Sequence, residues 1–73
     1  LTMISYMVPS SADVTLDLYN AYGQLIRKLH HNNNQPAGKY QFAFDVEKLS
    51  SGIYLCAITI DGVTHVQKLI CGK

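Results

Sequence analysis

Charge is what this chain has least of. Asp, Glu, Lys and Arg make up only 15% of its 73 residues and nearly cancel, to +1. No electrostatic field is therefore present to hold nucleic acid by phosphate neutralisation. The chain also has no Trp, so a sugar platform or base-stacking surface lacks its best aromatic. No apolar run approaches the roughly 20 residues of a membrane-spanning helix. Its opening residues lack the basic stretch, apolar core and small-residue site of a secretory signal peptide. They lie inside a strand-like run without an initial Met, as expected of one domain, residues 1–73, taken from a larger protein. Apolar residues reach 48%, which argues against disorder and for one small domain.

Only two cysteines are present, Cys56 and Cys71. Asp61-Gly62 lies between two apolar runs, and Asp-Gly is a strong hairpin signal because both central residues of a type I′ turn need φ > 0. With a two-residue turn, Ile60 faces Val63 and Cys56 lies opposite Gln67. Cys71 is then four residues further along, roughly 13 Å away. A disulfide requires Cα atoms within about 7 Å, so two buried, unreactive thiols are expected.

Apolar residues recur at period two along the chain. Ile4, Tyr6 and Val8 share one side of the first run, which Pro9-Ser10-Ser11 stops. Val14, Leu16 and Leu18 alternate with Thr15, Asp17 and Tyr19, a half-buried strand. After a turn over residues 20–23, residues 24–30 form another strand, and Asn32-Asn33-Asn34-Gln35-Pro36 is expected to be the clearest exposed loop. Tyr40, Phe42 and Phe44 alternate with Gln41 and Ala43. Leu49 is expected to dip into the core from the connection over residues 46–51, ahead of the closing hairpin. Six to seven short strands and no helical periodicity predict an all-β, immunoglobulin-like antiparallel β-sandwich.

No set of side chains reads as a catalytic or metal site. His30 and His31 are adjacent and point to opposite faces of a strand, and His65 lies in the closing hairpin, so all three are expected to be solvated. A metal needs three or four converging ligands at a defined spacing, which the His and Cys positions do not supply. Acid–base work needs two carboxyls in one cleft, and Asp13, Asp17, Asp45, Glu47 and Asp61 are scattered. Ser50-Ser51-Gly52 lacks the strand-to-helix elbow of a hydrolase nucleophile. The expectation is a protein with no enzymatic activity, no cofactor and no small-molecule substrate. Tyr54, after Gly52 at the start of a late strand, suits a tyrosine whose hydroxyl bonds back to the preceding connection.

The order of landmarks resembles the C-terminal sorting domain of the type IX secretion system of Gram-negative bacteria. The resemblance rests on Ile4-Ser5-Tyr6-Met7-Val8-Pro9, then Val14-Thr15-Leu16-Asp17-Leu18-Tyr19-Asn20, Gly23 and Leu25-Ile26-Arg27-Lys28-Leu29. It continues with Ala37-Gly38-Lys39-Tyr40 and Leu49-Ser50-Ser51-Gly52-Ile53-Tyr54, and closes on Lys68-Leu69-Ile70-Cys71-Gly72-Lys73. The Asn-Pro-rich segment that often precedes the family's first strand is missing. Cys56 and Gly72 stand where larger or aliphatic residues are usual.

The resemblance implies a cargo protein that reaches the periplasm by its own signal peptide and crosses the outer membrane directed by this domain. A cell-surface sortase then removes the domain in many cargos and joins the cargo to anionic lipopolysaccharide. It implies an outer-membrane translocon and a sortase as partners, with Lys68, Leu69, Ile70, Cys71, Gly72 and Lys73 as recognition residues. Gly38, Tyr40, Gly52 and Tyr54 become structural positions of the motif. A free terminal strand edge also allows a weak or strand-swapped homodimer. The competing expectation is a passive immunoglobulin- or fibronectin-like spacer, or a carbohydrate-binding appendage, of a secreted protein.

Overall fold

The computed structural model describes residues 2–45 and 49–71, with the side chain of Phe44 left aside. Six strands follow one another: β1 (Thr2–Val8), β2 (Ala12–Asn20), β3 (Leu25–Gln35), β4 (Gly38–Phe44), β5 (Gly52–Ile60) and β6 (Val63–Cys71). They form two antiparallel sheets, a pair β1-β4 and a four-stranded sheet in the order β3-β2-β5-β6. This is the all-β sandwich that the alternation predicts, with six strands.

Between the sheets lie the residues the period-two pattern turns inward. Ile4 and Val8 come from β1, Val14, Leu16 and Leu18 from β2, Tyr54, Cys56 and Ile58 from β5, and Leu69 and Cys71 from β6. Leu49 joins them from the connection before β5, as expected of it. Residues 46–48 of that connection lie outside the described residues. Tyr6 and Tyr40 stack across the β1-β4 pair, ring centroids 5.5 Å apart, and Phe42 packs against His30 at 5.8 Å. These aromatics serve the interior rather than a ligand platform.

The closing hairpin has the register derived from its turn. Ile60 pairs with Val63 and Cys56 with Gln67, while Cys71 lies opposite Gly52. Asp61 (φ 53°) and Gly62 (φ 84°) supply the two positive φ angles, as a type I′ turn demands.

The asparagine tract corrects the expectation of a loop. β3 runs through it to Gln35 and pairs with β2, with Val14 opposite Asn32 and Ala12 opposite Gln35. Three register shifts lie along this pair, and they let eleven residues of β3 match nine of β2. Asn34 N–H donates to the Asn32 side-chain oxygen at 3.1 Å. The turn chemistry of these asparagines is thus spent on a bulge within a strand. Gln35 is buried, and its Nε2 donates to the Tyr6 hydroxyl at 2.9 Å. His30 Nε2 lies 3.0 Å from Gln35 Oε1, a pure acceptor, so that nitrogen carries the proton. His30 is therefore a half-buried interior histidine, not a solvated one, whereas His31 and His65 are exposed.

Candidate functional site

Alternation in β6 divides the residues expected to be recognised between two faces. Leu69 and Cys71 are buried, 8% and 7% exposed, and belong to the core. Lys68 is exposed and Ile70 is 76% exposed. Gly72 and Lys73 lie outside the described residues. Half of the described terminal segment thus anchors the strand, and the other half is presented outward.

The outward half belongs to a wider surface. Ile70 sits directly opposite Ile53, Lys68 opposite Leu55, and Val66 opposite Ala57. Leu55 is in turn opposite Tyr19, which faces Leu25 on β3. Ile53, Val66 and Leu25 are 45%, 61% and 50% exposed. The solvent face of an antiparallel sheet is ordinarily its polar face. Here it carries an aliphatic band with Lys68 within it, a surface suited to a protein partner. The alternation did not mark this band, because Leu55, Ile53 and Ile70 read equally well as core.

Two tyrosines fix the strand starts. Tyr54 O–H donates to the Ser50 carbonyl at 2.7 Å, and Tyr40 O–H donates to the Pro36 carbonyl. In both, the hydroxyl reaches four residues back across a glycine, Gly52 at φ 155° and Gly38 at φ 152°. The same Gly-x-Tyr brace therefore opens β4 and β5. The brace on β5 sets the start of the strand that carries β6.

The interior holds no reacting pair. Cys56 and Cys71 are both free and buried, which agrees with the geometric exclusion of a bridge. Burial, and next the charge of Asp17, push the Cys56 thiol from 9.0 up to about 11. The folded chain consequently keeps this proton over a range in which the unfolded chain has begun to lose it. That contribution is full below pH 9 and falls away as pH rises towards 11. Stability should drop by roughly 2–3 kcal/mol across that window from this group alone. Urea unfolding at pH 8 and pH 10.5 would show it, and Cys56→Ala should remove that part of the slope.

One carboxylate departs from the scattered, exposed picture: Asp17 is half-buried, and its Oδ1 has no hydrogen-bond partner. Asp13, expected in a turn, is the second residue of β2; its carbonyl accepts from Asp61 N–H at 2.9 Å, and both residues are exposed.

A family model described as a secretion system C-terminal sorting domain matches residues 2–72. The chain belongs to this family, the C-terminal sorting domains of type IX secretion. Neither a curated protein nor a solved structure matches it. The domain is a type IX sorting signal, and such domains mark proteins exported to the cell surface or secreted. The family is one of sorting signals rather than catalysts, and its members engage the secretion machinery.

Proposed function

We propose that the outer-membrane translocon reads the outward face of β6, with Lys68 and Ile70 as direct contacts and Leu69 and Cys71 holding the strand in place. The observation that carries this is the alternation itself: Leu69 and Cys71 are buried while Lys68 and Ile70 face solvent. Ile70 and Ile53 form an aliphatic contact for a receptor, and Lys68, which makes no ion pair among the described residues, is available to an acidic group on it. Gly72 and Lys73 extend the same recognition segment. Residues 1–73 serve as the sorting domain of a larger cargo. A sortase removes the domain after export and attaches the cargo to the cell surface. The free edge of β6 also permits a weak or strand-swapped homodimer.

The test fuses residues 1–73 behind a signal peptide and a fluorescent protein in a host with an intact type IX system. Fluorescence should reach the surface or medium, and retention in the periplasm would count against the reading. Lys68→Glu combined with Ile70→Asp should lower export about tenfold or more, with the domain still folded. Unchanged export of that variant would remove β6 from the recognition surface.

A further inference from the structure

We propose that the groove between the free edge of β1 and the uncovered inner face of β6, with Ile60 at the end of β5, accepts one extended peptide strand, which takes the third position of the smaller sheet. The proposal starts from a mismatch of layers. Four strands face only two, and the cross-sheet contacts of Phe42 on His30 and of the Tyr6 hydroxyl with Gln35 put the pair towards the β3 side. On the inner face of β6, Leu69 and Cys71 are buried, but Val63, His65 and Gln67 on that same face are exposed. The open space is a groove of about 660 Å³ lined by Ser5, Met7, Ile58, Ile60, Val63 and His65.

Its wall is a strand edge. β1 pairs only with β4 among the described residues, so alternate residues turn their N–H and C=O groups into the groove. Proteins commonly protect such edges with charged side chains. The other three outer strands carry cations: Arg27 and Lys28 on β3, Lys39 on β4, and Lys68 on β6. β1, Thr-Met-Ile-Ser-Tyr-Met-Val, carries no charge. A folded second copy pairing edge to edge with the same face inward would bring its larger sheet into the layer already filled by β5 and β6, so a lone strand is the better fit.

The groove also states what that strand should be. Side chains pointing down meet Ile58, Ile60 and Val63, so alternate positions want β-branched aliphatics. At the mouth, Asp61 lines the groove and makes no ion pair among the described residues. Its complement is a Lys or Arg at that end of the peptide. About four to six residues span the open length, at about 3.3 Å each.

Titrating the isotope-labelled 73-residue chain with the acetylated and amidated peptide Lys-Val-Thr-Val-Thr-Val tests this, with NMR as the readout. Amides of Ser5, Met7, Ile58, Val63 and His65 should shift, and some β1 amides should exchange more slowly. Val63→Arg, at a position 58% exposed and so compatible with folding, should weaken binding about tenfold or more. Asp61→Asn tolerates the same positive φ; it should weaken binding a few-fold and flatten its salt dependence. A peptide with Glu in place of Lys should bind more weakly than the original. Shifts confined to the β3 or β6 edge, no shifts at about 1 mM peptide, or a concentration-dependent dimer through β1 would each overturn the proposal. The assay contains no secretion machinery, so its outcome is independent of the export result.

Discussion

Leu69→Ala should destabilise the domain by about 2–5 kcal/mol, while Ile70→Ala, one residue along, changes stability by about 1 kcal/mol or less. The two side chains are alike in size and hydrophobicity, and only their faces differ, 8% against 76% exposed. Thermal unfolding separates them: for a domain of this size the first variant should lose roughly 10 °C or more. Export should separate them differently. Ile70→Asp should leave a folded domain that is exported poorly, whereas Leu69→Asp should fail to fold and so fail to be exported for a different reason. Equal losses of stability at the two positions would reverse the assignment of faces.

The second large effect belongs to Gly52. A Cβ built there meets nothing within 4 Å, so a steric view makes Gly52→Ala harmless. The backbone predicts otherwise, because φ of 155° is a region that residues with a Cβ rarely enter. The substitution should cost about 1–3 kcal/mol. Tyr54→Phe should cost about 0.5–1.5 kcal/mol, the net worth of its hydrogen bond to the Ser50 carbonyl. Because both variants disrupt one brace, the double variant should lose less than the sum in denaturant titrations. Strict additivity would mean that Gly52 and Tyr54 act separately.

The strands were legible wherever apolar residues alternate. Ile4 to Val8, Val14 to Leu18 and the Asp61-Gly62 hairpin needed only the two-residue repeat and a turn rule, and the Tyr54 brace followed from its place after Gly52. The second half of β3 was not legible. Asn32 to Gln35 offer no apolar alternation, and what holds them is pairing with β2 and a cluster of buried Gln35 with half-buried His30 and Tyr6. Nor did alternation identify sheet partners: β1 joins β4 rather than its neighbour in sequence, a choice made by tertiary packing. Along the proposed recognition segment, the motif supplied the expectation, and which residues are buried and which face solvent depended on the register of β6.

If the translocon reads the outward side of β6, as proposed, recognition and folding are tied to one strand. Losing β6 removes the core residues Leu69 and Cys71 together with Lys68 and Ile70 and leaves the edge of β5 unpaired. A variant without β6 should therefore lose label and fold together, and become a substrate for proteolysis rather than for export.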